Sequence, residues 1–305
     1  MMKIQPFSEL EFPTDKFLDF FYLIKQIKYF DDDKLYLSAT DTDISFSNGE
    51  GDTGFIMSFN FKRDHLEDSI FLDSEDNDDD FHHFIPSADI TKFYDTIKTK
   101  VSKPYFKDTN LKINVASEKF SLGLHSPTYK LSYGIKTRQD SAKWQDHKKH
   151  LNQLLYADSS NYTLKYHFSS YDNLTKFFNL FTINSQTNDN SGHRLLNIQF
   201  DNLAGDKTNL ILSTDYECNI FWNLTKFQFD IIKENIHVFK DRTLDYELDL
   251  VTPIIQLLKT QNIFNKCQAI VLQFTKTHLL KITIKLEYID IHFLLAPIEA
   301  DNDDN

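Results

Sequence analysis

An amphipathic helix followed by alternating strand segments recurs four times along this chain, twice in each half, and that doubled order most constrains its fold. From Pro13 to Phe30, PTDKFLDFFYLIKQIKYF sets Phe17, Phe20, Phe21, Ile24 and Ile27 on one face at helical spacing, with Pro13 and Thr14 as start signals. KLYLSATDTDISFS and FIMSFNF follow around Asn48-Gly49 and predict antiparallel strands with a turn. SADITKFYDTIKTKV, capped by Ser87, lines up Ile90, Phe93, Tyr94, Ile97 and Val101 on a narrow stripe and predicts a second helix. Strands are expected after it in LKINVASEKFSLGLHS and TYKLSYGIK. The second half repeats the order: a helix in SSYDNLTKFFNLFTI, strands in LLNIQFDN, TNLILSTDY and ECNIFWNL, a helix in DLVTPIIQLLKTQNI, then strands to IDIHFLLAP. Two like halves predict an internal duplication. The fold class expected is α+β, with two tandem domains, each of two helices packed on antiparallel sheets. Their bounds are 1–136 and 161–298, with a polar connector at 137–160 and an acidic tail at 299–305.

Charge restricts the function. The net charge of -12 argues against holding nucleic acid by bulk attraction, which needs a basic face. The acids cluster at Asp31 to Asp33, in DSEDNDDD at 73–80 and from Glu299 onward, as solvated segments do. With 28 Phe and 14 Tyr the chain has ample material for buried cores. No apolar run is long enough for a membrane helix, and the start lacks a secretory signal, so a soluble, intracellular protein is expected. Cys218 and Cys267 are isolated, which fits a reducing compartment and argues against a cysteine zinc site.

Enzyme readings lack support. GEGDTG at 49–54 fits a dinucleotide fingerprint by letter, but the segment after it alternates as a strand where a helix is required. No phosphate-loop or serine-elbow motif is present. DSEDNDDD has Phe84 where a calcium loop needs Glu, and the adjacent His82 and His83 point opposite ways on a strand. No catalytic residue, metal or cofactor is therefore expected.

The polar faces of the helices carry more information. In the third helix Leu174, Phe177, Phe178 and Phe181 face inward, and Thr175, Lys176, Asn179 and Thr182 outward. In the fourth, Leu250, Val251, Ile254, Leu257 and Leu258 face inward, and Thr252, Gln256, Lys259 and Thr260 outward. The acids on these faces, Asp172 and Asp249, stand at helix starts, where a carboxylate suits the dipole. The second helix offers Lys92, Thr96, Thr99 and Lys100, diluted by Asp89 and Asp95; the first offers Lys25 beside Asp15 and Asp19. Two readings fit: ordinary solvated faces, or a neutral-to-basic surface that slides past phosphates.

This order of elements, with a last strand running into Leu294, Leu295, Ala296 and Pro297 and then Glu299 and Asp301, resembles the DNA sliding clamps of the proliferating cell nuclear antigen (PCNA) type. The likeness in topology covers nearly the whole chain; the close sequence match is confined to those terminal residues. It implies two clamp-type domains per chain and, on trimerisation, a pseudo-sixfold ring around double-stranded DNA held without sequence specificity. Lys25, Lys92, Lys100, Lys176 and Lys259 would face the channel, with Lys103 and Lys266 at helix ends. Leu294, Leu295, Ala296 and Pro297 would form part of the pocket for clamp-binding peptides of a DNA polymerase and other factors. The implied role is that of a processivity factor and docking platform in DNA replication and repair, served by a clamp loader, in the nucleus or at a viral replication site. The same fold serves subunits of the heterotrimeric DNA-damage checkpoint clamp, so a heterotrimer is the alternative to a homotrimer. A protein-binding scaffold that never encircles DNA is the alternative from another class. The chain departs from the family in its length, its insert at 73–80, its lysine-poor first helix and its connector.

Overall fold

The computed structural model describes 7–13, 34–39, 43–48, 55–62, 81–86, 92, 95, 96, 98, 99, 110–116, 119–125, 130–136, 149, 162–180, 195–201, 208–214, 219–224, 229–231, 239, 242–247, 249, 251–260, 263–287 and 289–298. The expected first helix, apart from Pro13, lies outside these residues, as do the acidic insert and the acidic tail; of the connector only Lys149 is described. The chain divides into two compact units, Met1–Gly49 with Ser58–Lys148, and Glu50–Met57 with Lys149–Asn305.

In the first unit β1 (Phe7–Pro13), β6 (Asn110–Ala116), β7 (Lys119–His125) and β8 (Lys130–Lys136) form an antiparallel sheet in the order β1-β6-β7-β8. Pro13, which lacks an amide hydrogen, stands at the last position of edge strand β1. A second set, β2 (Lys34–Ala39), β3 (Asp43–Asn48), β4 (Phe55–Lys62) and β5 (Phe81–Pro86), runs β5-β2-β3-β4, with the first three residues of β4 assigned to the second unit. The glycine-bearing GEGDTG segment thus leads from one strand to another, as its sequence predicts. Phe46 and Phe61 meet edge to face, ring centres 6.1 Å apart, in this unit's core.

The second unit is built on β9 (Tyr162–Phe168), α1 (Tyr171–Leu180), β10 (Leu195–Asp201), β11 (Thr208–Thr214), β12 (Asn219–Leu224), β13 (Phe229–Ile231), β14 (Thr243–Glu247), α2 (Thr252–Thr260), β15 (Cys267–Thr275), β16 (Leu280–Leu286) and β17 (Ile289–Leu295). Its strands run β12-β11-β10-β14 and β13-β9-β15-β16-β17. The described strand pairs are antiparallel, and α1 lies against β15. Leu174, Phe177, Phe178 and Leu180 of α1 are buried, as are Val251, Ile255 and Leu258 at α2. The core centres on Phe274, whose ring lies 5.1 Å from Phe200 and 6.2 Å from Tyr166 and from Phe239.

Strands β16 and β17 are buried on both faces. Leu280, Ile282 and Ile284 alternate with Lys281, Thr283 and Lys285, and the register sets Lys281 opposite Leu294, Thr283 opposite His292 and Lys285 opposite Asp290. Thr283 Oγ1 and His292 Nδ1 share a buried hydrogen bond of 3.0 Å. Burial pushes the Lys281 ammonium down to about 8, against the attraction of Asp290 and with the repulsion of Lys285. The unfolded chain keeps the ordinary value of 10.5, so between these limits it holds more protons than the folded chain. The contribution of Lys281 therefore makes the fold more stable as pH rises from about 8 to 10.5, by about 3 kcal/mol across the window. Lys281→Met is expected to flatten that rise in urea unfolding followed across the window. A slope equal to the parent's would show that another group titrates there.

Candidate functional site

Helix α1 starts where the sequence signals it. The Ser170 carbonyl accepts from Leu174 N at 3.0 Å and its hydroxyl from Asn173 N at 3.4 Å, the bonding of an N-cap. Four buried apolar residues turn the opposite side of the helix outward, so Asp172, Lys176 and Asn179 fall on one exposed stripe at spacings of four and three. Lys176 Nζ lies 2.6 Å from Asp172 Oδ2. The carboxylate read from sequence as a partner of the helix dipole therefore also neutralises a candidate lysine.

Lys259, in the last turn of α2, is half-buried and donates from Nζ to Asn179 Oδ1 at 3.0 Å. Partial desolvation lowers the pKa of its ammonium. The fold thus joins Lys259 to the helix that carries Lys176 through an amide acceptor eighty positions away in sequence. Asn179 was legible as an outward residue, but its role in aiming Lys259 depends on helix packing and had no local signal.

In the first unit Lys92, Asp95, Thr96, Lys98 and Thr99 are helical and exposed, which gives the polar side expected of the second helix. Thr96 Oγ1 donates to the Lys92 carbonyl at 2.8 Å, and Thr99 Oγ1 to the Thr96 carbonyl at 2.9 Å. Lys98 adds an exposed cation that the sequence reading did not nominate. Lys25, Lys100 and Lys103 lie outside the described residues, and Lys266 is exposed at the end of a short 3-10 turn, Ile263–Lys266.

The end of β17 divides the four residues nominated for partner binding. Leu295 is buried on the core side, opposite Leu280, whereas Leu294 shares the other face with Lys281 and His292. Ala296 and Pro297 are half-buried, and Ile298 is exposed. The Ile298 amide donates to the Asp245 carbonyl of β14 at 2.8 Å, and the Asp245 carboxylate accepts from the Asn197 side chain at 2.7 Å. Residues Ala296–Ile298 are therefore tied down at a fixed place beside β14. Ala296, Pro297 and Ile298 carry the accessible surface at this end of the strand, whereas Leu294 and Leu295 are both buried.

Among the described residues no three His, Cys, Asp or Glu side chains gather as a metal site, and no helix is long and apolar enough to cross a membrane. Burial pushes the Cys267 thiol up to about 12, far from the thiolate a nucleophile needs.

No protein-family model matches the chain. No curated protein matches it either. Solved structures do match. The chain is similar to Proliferating Cellular Nuclear Antigen from Entamoeba histolytica at 14% identity and a TM-score of 0.59, over 97% of this chain and 100% of that one. It is also similar to a chain of the PCNA2-PCNA3 complex from Sulfolobus tokodaii at 12% identity and a TM-score of 0.55, over 95% of this chain and 98% of that one. At such identities the likeness resides in the antiparallel sheets and the order of their elements. The chain has a divergent sliding clamp-like fold of the PCNA kind.

Proposed function

We propose that this protein is a DNA sliding clamp: a non-enzymatic ring that encircles duplex DNA without reading its sequence and serves as processivity factor and docking platform for a polymerase and other replication and repair proteins. The observation that carries the reading is the outward polar side of α1 and α2. There Lys176, Asn179 and Lys259 lie on a clamp-like fold in a chain of net charge -12. A ring holds DNA by topology. A few lysines among amides and threonines then suffice for loose phosphate contact, while the acidic remainder discourages unproductive binding. Ala296, Pro297 and Ile298, next to the buried Leu294 and Leu295, would receive a short apolar peptide from the partner.

Ring closure needs two complementary edges on each copy, a head-to-tail arrangement. Among the described strands β1, β8, β12 and β14 end the two four-stranded sheets, and β12, NIFWNL, carries neither a charge nor a proline to discourage pairing. Edge-to-edge pairing of β12 with an end strand of the next copy would supply one such contact. Light scattering across a concentration series is expected to give about 108 kDa, three times the 35.9 kDa chain. A monomer at every concentration would overturn the homotrimer and favour a mixed ring. That second reading draws support from the Sulfolobus match, which is a complex of two different clamp chains.

A further inference from the structure

Strand β14 holds two neighbouring stretches of chain at once. The Ile298 amide donates to the Asp245 carbonyl at 2.8 Å, and the hydroxyl of the next residue, Tyr246, donates to the His278 carbonyl at 2.6 Å. His278 belongs to the turn Thr275–Leu279 that joins β15 to β16. Leu280, the first residue of β16, stands opposite Leu295, the last of β17, so this turn leaves the sheet at the same end as Ala296–Ile298. His278, Leu279, Ala296 and Pro297 are half-buried there, and Lys276, Thr277 and Ile298 are exposed.

The turn is closely bonded and carries one strained residue. Thr275 N donates to the Leu279 carbonyl, His278 N to the Thr275 carbonyl and Leu279 N to Thr275 Oγ1, each at 3.0 Å. In a hairpin of this kind the last of the three loop residues takes a left-handed conformation, which glycine adopts without steric conflict. Here that residue is His278, with φ of 63°, and among the described residues no other non-glycine has positive φ. The contacts that hold it include the Tyr246 hydroxyl on its carbonyl and the Phe239 ring, whose centre lies 5.4 Å from that of the imidazole.

We propose that Tyr246 is a positioning residue of the partner surface: by pinning the His278 carbonyl it keeps the Thr275–Leu279 turn beside Ala296–Ile298, as a second wall for the docked peptide. The inference rests on the peptide-docking reading of the end of β17 and says what keeps that surface in shape. Tyr246 has no exposed surface, so it acts through the turn and does not itself meet the peptide. A turn released from the left-handed conformation presents its wall for only part of the time. The apparent affinity then falls in proportion to the competent fraction. A tyrosine whose hydroxyl only satisfies itself inside the core would not pass the loss of that bond on to the peptide.

The test is fluorescence anisotropy on the full chain with a labelled synthetic peptide that carries an aliphatic anchor and two aromatic ones at i, i+3 and i+4. Tyr246→Phe keeps the ring and removes the hydroxyl. It is expected to weaken binding about five-fold, as the loss of one hydrogen bond does, and to speed amide exchange at Lys276–Leu279 by about the same factor. His278→Gly alone should leave the affinity within about two-fold of the parent's. In the Tyr246→Phe background it should restore most of the loss, because glycine takes the left-handed conformation without a clamp. Ile298→Asp, which puts a charge on the apolar surface itself, should weaken binding about ten-fold in every background. If Ile298→Asp lowers the affinity and Tyr246→Phe does not, or if glycine at 278 fails to restore the loss, the positioning role is wrong while the docking surface stands. If neither Tyr246→Phe nor Ile298→Asp changes the affinity, or the parent does not bind the peptide, the docking reading fails and the positioning role with it.

Discussion

Replacing Lys92, Lys176 and Lys259 together by glutamate is expected to lower retention on duplex DNA by on the order of a hundredfold and to remove most of its salt dependence. Each replacement deletes a cation and adds an anion on an exposed helical position or, for Lys259, a half-buried one. At Lys176 and Lys259 the apolar sides of α1 and α2 are formed by other residues, among them Phe177, Phe178, Ile255 and Leu258, and Lys92 is exposed. The unfolding midpoint should therefore stay near the parent's. Retention on a circular duplex, compared with the same duplex linearised, separates topological holding from surface attraction. A triple variant that remains on the circle as the parent does would sink the channel assignment and favour a scaffold that never encircles DNA.

Phe274→Ala is expected to cost about 4 kcal/mol of unfolding free energy, the largest effect of any single truncation considered. Phe274 has no exposed surface, and its ring meets Phe200 at 5.1 Å and 87° and Tyr166 at 6.2 Å and 85°. Three aromatic neighbours anchored on different elements cannot all collapse into the space left behind, so much of the cavity term remains. Urea unfolding gives the number. A loss below about 1 kcal/mol would mean that β9, β10 and β15 close around the gap and that the aromatic centre is more pliable than its packing indicates.

Much of this architecture was legible wherever a segment carries its own signal. SSYDNLTKFFNLFTI contains a cap, a carboxylate in the first turn and a helical stripe, and α1 forms at Tyr171–Leu180 within it. IDIHFLLAP is dense in β-branched and aromatic residues, and β17 ends two residues before the proline, which cannot donate to a ladder. Strands β1, β9, β13 and β14 were not anticipated; in β1 and β14, FSELEFP and TLDYE put acids among short apolar alternations and are made strands by their partners. In β1, Glu11 is opposite Lys112; in β14, Asp245 is opposite Asn197, which bonds its carboxylate. The candidate site divides in the same way. The Asp172–Lys176 pair can be read from a spacing of four, whereas the bond from Lys259 to Asn179 exists only once two distant helices pack. The opposite orientation of Leu294 and Leu295 follows from strand alternation, which a motif of consecutive letters hides.

Strand β9 pairs on one side with β13 and on the other with β15, where Phe168 meets Ile270. Tyr166 and Phe168 of this strand are buried, yet ribosomal synthesis delivers β9 long before β15 exists. Until β13 is made both edges of this aromatic strand are open, one stays open until β15 follows, and closing so long a loop is slow as well as entropically costly. The nascent second unit is thus most exposed to misassociation while Tyr166 waits for Phe274, and a chaperone that covers one apolar strand for that time would serve its biogenesis best.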